Sequence, residues 1–192
     1  AQAVRTALEY RLANGSGSSA SFSCVTDAMI FARLSDAQAA LEQLKQTVEL
    51  HVMENLLTAI CDWRDRGESL AWFGGRKVFQ IEAGLGLGCA IAEMLLQSRR
   101  GIISLLPALP DDWKDGSFFG LCAGGGYEIS ATWADGKLQG AEILSKLGGR
   151  CRVIPFRTER PLTVWSEGSE IQPDVSGALL SFETKAGGRY EL

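Results

Sequence analysis

The feature that most constrains the fold is a change of hydrophobic period around Leu106-Pro107-Ala108-Leu109-Pro110. Two prolines so close together cannot continue a helix, because each lacks a backbone N–H and clashes with the preceding turn. Before this joint, apolar residues recur at helical spacing. Val4, Leu8 and Leu12 make one stripe, and Ala39, Leu41, Leu44 and Val48 make another. Asn14 to Ser19 is all turn formers and breaks the first helix, and a second is expected over Ser21 to Leu34. Ser35 and Gln38 have the spacing of a capping box for the third. Val52 to Ile60 reads as a continuation or restart of that helix, and Asp62 to Gly67 as a charged loop. Leu85 to Gln97 is helical and nearly apolar all round, which predicts deep burial.

From Ile102 onward the period falls to two. Tyr127, Ile129, Ala131 and Trp133 alternate with Glu128, Ser130 and Thr132, the pattern of a half-buried strand. Asp135-Gly136 supplies a hairpin turn into Leu138 to Leu144. Cys151 to Phe156, Leu162 to Trp165, Leu179 to Phe182 and Tyr190 to Leu192 follow as strands in series, the order of an antiparallel sheet or sandwich. The expected class is therefore α+β, with helices over residues 1–104 and a β domain over 105–192.

Composition narrows the chemistry. Among 192 residues, Lys plus Arg is 19 and Asp plus Glu is 23, a formal charge of −4. That balance argues against nucleic acid as a partner, since phosphates call for a basic surface. No run approaches the roughly 18–20 apolar residues of a membrane helix, so no membrane partner is expected. There is no basic segment followed by an apolar run of the signal-peptide kind. The chain begins at Ala1 and not Met, as a processed product or a piece of a longer protein does. The single histidine, His51, excludes metal sites that need two, and the five cysteines form no CxxC pair, so no metal and no cofactor is expected. The cysteines read mainly as buried thiols.

The most specific stretch is Phe79-Gln80-Ile81-Glu82-Ala83-Gly84, continuing through Ile91-Ala92-Glu93-Met94-Leu95-Leu96-Gln97-Ser98. It resembles the FQIDGNFGG…IAEMLLQS signature of glycoside hydrolase family 95, the inverting α-L-fucosidases. Leu105 to Pro110 with Trp113 and Asp115-Gly116 is similar to that family's LLPALP…W.DG passage. Trp133 to Leu138 and Gly148 to Cys151 resemble its W.DGKL and GG.C passages, Phe31 to Leu34 its WARL helix, and Asn55-Leu56 its NL pair. The resemblance implies the last helices of an (α/α)6 barrel that holds the active site, followed by a small antiparallel β-sandwich domain. It implies as partners a fucosylated oligosaccharide or glycan and the rest of the enzyme, as an N-terminal part or a companion chain. It suggests a bacterial secreted or periplasmic setting, with a cytoplasmic one left open.

An inverting glycosidase needs two carboxyl groups on opposite faces of the sugar, roughly 6.5–9.5 Å apart, with a water between them. One protonates the leaving oxygen and the other takes a proton from the water. The family's base is the Asp of FQID, and that position here is Glu82. The resemblance places the general acid outside this chain. The sequence departs from the pattern at several points. Glu82 is one methylene longer than Asp, the family's Asn two residues on is Gly84, its preceding His is Arg76, and Ser19 stands nearest the His of its GHTGWS turn. The expected site is thus Glu82 as base, with Arg76, Gly84 and Ser19 as substrate contacts.

Other readings stay open. Glu82 could simply be a helix-start carboxylate favoured by the dipole. The departures also fit a degenerate, non-catalytic structural or carbohydrate-binding member. Gly84-Leu85-Gly86-Leu87-Gly88 after an apolar run has a dinucleotide-binding look, but no acidic residue follows on a second strand as that motif requires. Trp63 and Trp72 could offer sugar platforms or ordinary packing, and Glu93 is expected to meet a cap or a cation.

Overall fold

A computed structural model describes residues 2–13, 20–64, 77–158 and 162–192. The chain divides into two compact units, Ala1–Met94 and Leu95–Leu192. The division precedes the proline joint, because residues just before the prolines already form strands. The class is α+β.

The first unit holds α1 (Gln2–Ala13), α2 (Ser21–Arg33), α3 (Ala37–His51) and α4 (Ile81–Leu95). The second and third helices are separated by a sharp turn. Leu34 closes α2 by donating its N–H to the Ile30 and Phe31 carbonyls, and Ser35 then adopts a positive φ of 57°. That conformation removes Ser35 from the capping role its spacing suggested. Asp36 takes the role, its Oδ1 accepting from the Ala39 N–H at 3.2 Å. The expected helix over Val52 to Ile60 is also absent. Asn55 Oδ1 accepts from the Leu57 N–H, and Leu56 turns at φ 65°. The chain then leaves in extended form, Val52 bridging Thr58 and Ala59 bridging Phe79. Those bridges are antiparallel, and Phe79 lies in no parallel sheet, so the dinucleotide-binding reading falls.

Burial along α4 corrects a further expectation. Ala83, Gly86, Ala90 and Met94 are buried and lie on one stripe. Ile81 is 54% exposed, Leu85 67% and Ile91 39%. The helix is therefore covered on one face only. Gly86 lies where a Cβ would come within 2.6 Å of Val25 Cγ2 on α2, whereas a Cβ on Gly88 meets nothing within 4 Å. Gly86→Ala should destabilise the protein by about 1–3 kcal/mol through overpacking. Gly88→Ala should stabilise it by about 0.5–1 kcal/mol through helix propensity alone. Paired denaturant titrations check both; equal effects at the two positions would exclude close α2–α4 packing. Glu93 meets Arg33 of α2 in a two-pronged ion pair, with contacts of 2.7 and 3.2 Å, as the sequence led one to expect.

His51, the last residue of α3, is fully buried. Burial pushes its imidazole below the ordinary value, against the opposing pull of the Cys61 main chain, the Asp62 charge and the Ala59 main chain. A depressed folded pKa means the stabilising contribution is complete above the unfolded value of about 6.5 and is lost as pH falls through the folded value. Between pH 7.5 and 5.5 the wild type should lose stability that His51→Gln does not lose. Urea midpoints at the two pH values read this directly, and parallel profiles for the two proteins would refute it.

Among the described residues the second unit has eleven strands. They are β1 (Leu96–Arg99), β2 (Ile102–Leu105), β3 (Gly116–Ala123), β4 (Tyr127–Ala134), β5 (Lys137–Ser145), β6 (Gly149–Pro155), β7 (Val164–Ser166), β8 (Ser169–Ile171), β9 (Asp174–Ser176), β10 (Leu179–Thr184) and β11 (Gly188–Glu191). One sheet has the order β1-β2-β6-β10-β9 and the other β3-β4-β5-β11-β7-β8. All neighbours pair antiparallel except β2 and β6. Asp135 and Gly136 both have positive φ, 51° and 70°, as the right-handed twist of the β4–β5 hairpin requires. Inward residues of both sheets, among them Ile103, Val153 and Phe182 from one and Ile129, Ile143 and Tyr190 from the other, form one apolar cluster. Cys24, Cys61 and Cys151 are buried thiols in no disulfide, while Cys89 and Cys122 are exposed. Among the described residues, no helix is long and apolar enough to cross a membrane.

Candidate active site

The extended segment before α4 is tied to residues 58–60. Ile60 N–H donates to the Val78 carbonyl and Gln80 N–H to the Thr58 carbonyl, each at 2.8 Å. Thr58, only 1% exposed, donates its hydroxyl to the Gln80 carbonyl. Gln80 then reaches away from its own strand. Its Oε1 accepts from the Ser21 hydroxyl at 2.5 Å and the Phe22 N–H at 3.2 Å. Helix α2 needs this, because its N-cap residue is Ala20, which has no side-chain acceptor. One glutamine thus fastens the start of α2 to the residue just before α4. Gln80 and Thr58 had no role in the sequence reading; the signal available was the place of Gln80 inside the FQI segment.

Glu82 stands two residues after Gln80, in the first turn of α4. The Thr58–Gln80 contacts anchor the residue just before that helix, and Glu82 itself is exposed. Gly84, also exposed, faces Thr58: a Cβ there would stand 3.4 Å from Thr58 Oγ1. The site therefore presents a carboxylate, a bare backbone turn and exposed helix-start geometry, beside the uncovered apolar side chains Phe79, Ile81 and Leu85. Ser19 and Arg76 lie outside the described residues, as does Trp72. Trp63 is held in place by its own contacts: its indole N–H donates to the Val52 carbonyl at 3.1 Å, and the Arg64 guanidinium stacks 4.2 Å from the ring centroid. Among the described residues no three His, Cys, Asp or Glu side chains gather as a metal site would need.

Both units match domains of one class of carbohydrate-cleaving enzymes, the glycoside hydrolases. Residues 1–95 match the glycosyl hydrolase family 95 catalytic domain, and residues 97–192 match the glycoside hydrolase family 95 C-terminal domain. The chain belongs to glycoside hydrolase family 95. It is also similar to alpha-L-fucosidase 2 of Arabidopsis thaliana, 34% identical over 140 residues, which is 72% of this chain and 15% of that protein. The chain thus spans a small part of the length of the relative it matches.

Proposed function

We propose that this chain is the C-terminal part of an α-L-fucosidase-like glycoside hydrolase that cleaves α-L-fucosyl or related α-L-galactosyl linkages with inversion. In this reading the helices of the first unit complete an (α/α)6 toroid and the second unit is its β-sandwich companion domain. Glu82 is the general base, and Arg76, Gly84 and Ser19 border the sugar. The general acid comes from elsewhere in the catalytic domain, which is the protein partner, and the small-molecule partner is a fucosylated glycan.

The observation that carries the reading is the placement of Glu82. It stands exposed at the start of α4, two residues after the anchored Gln80 and next to apolar side chains that lack cover. Large exposed apolar patches on a helical unit mark a surface meant for partners. A second reading, a non-catalytic member, is favoured by Gly84, which leaves the position of the family's Asn without any side chain. The two separate in a chimera in which this chain replaces the matching stretch of the Arabidopsis relative. Release of 4-nitrophenol from aryl α-L-fucoside or α-L-galactoside, lost on Glu82→Gln, supports catalysis. A folded chimera without turnover on either substrate supports the second reading.

A further inference from the structure

The outer face of the six-stranded sheet carries an ordered row of side chains that the proposed hydrolysis does not use. Strand register sets the row. Ser130 pairs with Glu142, Glu142 with Glu191, Glu191 with Trp165, and Trp165 with Glu170. Directly opposed residues of paired strands project on the same face. Their chain neighbours Ile129, Ile143, Tyr190 and Val164 point inward into the apolar cluster, so this row points out. At the other end, the register shift between Phe118 and Leu121 puts an extra residue opposite Ser130. Gly120 takes a φ of 71° there, and its N–H donates to Ser130 Oγ at 3.2 Å. Phe118 stays in the core while Phe119 is turned outward, 75% exposed.

Two aromatic faces thus bracket a polar bed. Trp165 is 44% exposed. A hollow of about 490 Å³ is lined by Trp165, Arg189 and Glu191, and one of about 400 Å³ by Phe119, Ser130, Thr132, Glu142 and Glu191. Glu191 belongs to both, so the hollows adjoin. Four strand-to-strand steps of about 4.8 Å separate the aromatic ends, roughly 19 Å in all.

We infer that this face is a groove for a neutral oligosaccharide chain, lying across the strands and separate from the Glu82 site. Pyranose rings have one face of C–H bonds, which packs on an aromatic plane, and a rim of hydroxyls, which donate to carboxylates and exchange hydrogen bonds with Ser and Thr. Trp165 and Phe119 supply the planes, and Glu142, Glu191, Ser130 and Thr132 the partners. Arg189 ion-pairs Glu142, which holds that carboxylate in place. Glu170 and Glu191 flank Trp165 on either side, so the local charge is negative and repels uronates and sulfated sugars.

The test is affinity electrophoresis of the full chain in native gels containing galactomannan, mixed-linkage β-glucan or polygalacturonate. Retardation by a neutral polysaccharide, none by polygalacturonate, and at least a tenfold weaker retention for Trp165→Ala are expected. Phe119→Ala touches no core position and should weaken retention several-fold with unchanged circular dichroism. Glu82→Gln should bind as the wild type does, so loss of turnover and loss of binding remain separate results. Wild-type mobility unaffected by both neutral polysaccharides overturns the inference, as does undiminished retention of the two aromatic variants.

Discussion

Glu82→Gln should reduce turnover of an aryl α-L-fucoside by about 10²–10⁴-fold in the chimera, with a much smaller change in KM, because a positioned general base contributes on that scale. The amide is nearly isosteric and keeps the contacts that position the backbone of α4, but it cannot take a proton from water. Glu82→Asp is the informative companion. It withdraws the carboxylate by about 1.5 Å, one C–C bond, toward the length the family pattern has at this position. Inversion leaves room for one water between base and sugar. Glu82→Asp should therefore keep turnover within about tenfold of the wild type. A general base that tolerates shortening but not amidation is acting through its proton affinity. A purely structural carboxylate at a helix start acts through its charge on the helix dipole, about 1 kcal/mol at most, so the amide would then cost turnover less than about tenfold. Glu93→Gln is the control: its carboxylate is engaged by Arg33, so it should leave turnover unchanged. Equal rates for Glu82→Gln and the wild type would end the assignment.

The β unit was largely legible because its signal is local. Period-two alternation over Tyr127–Ala134 and the Asp135-Gly136 turn fix a hairpin without reference to the rest of the chain. Where alternation breaks, legibility fails. The strand Gly116–Ala123 was hidden by the irregularity at Phe118-Phe119-Gly120. Ser169–Ile171 and Asp174–Ser176 are short and mostly solvent-facing, with little apolar pattern to read. The helical unit shows the converse problem. An apolar helix such as α4 says that its sides avoid water, but not which segment covers each side. Leu85 was read as core and is exposed. The site divides in the same way. The position of Glu82 was readable from a contiguous motif. The fastening by Thr58 and Gln80 was not, because those residues are 22 positions apart and no hydrophobic period links them.

The helical unit holds a second carboxylate whose environment makes a strong prediction about stability. Asp27 on α2 is fully buried, and its Oδ1 accepts from Arg11 Nη1 of α1 at 3.0 Å while Oδ2 has no hydrogen-bond partner. Burial raises the Asp27 pKa above its ordinary value, and the Arg11 charge opposes the rise. One turn earlier, the Cys24 thiol is pushed up to about 11, by burial first and by the Asp27 charge second. A carboxyl whose folded pKa is raised stabilises fully below its unfolded value and loses that contribution as pH rises through the folded value. Arg11 limits the loss by compensating the charge. Arg11→Met keeps the aliphatic reach and removes the compensation, so the folded pKa climbs further and the loss extends to higher pH. Breaking a buried pair in this way costs about 3–5 kcal/mol. Arg11 is 37% exposed, so solvent already screens part of its charge, and the lower end, about 3 kcal/mol at pH 7.5, is the expected value. At pH 4.5 the same substitution should cost clearly less than at pH 7.5, since a carboxyl with a raised pKa takes up a proton more readily than it stands alone. Asp27→Asn should remove the pH dependence of the Arg11→Met effect, because the amide has no charge to strand. Guanidinium titrations of the four proteins at the two pH values decide the matter. A penalty for Arg11→Met that is the same at both pH values would mean the arginine acts through packing of its stem and not through its charge.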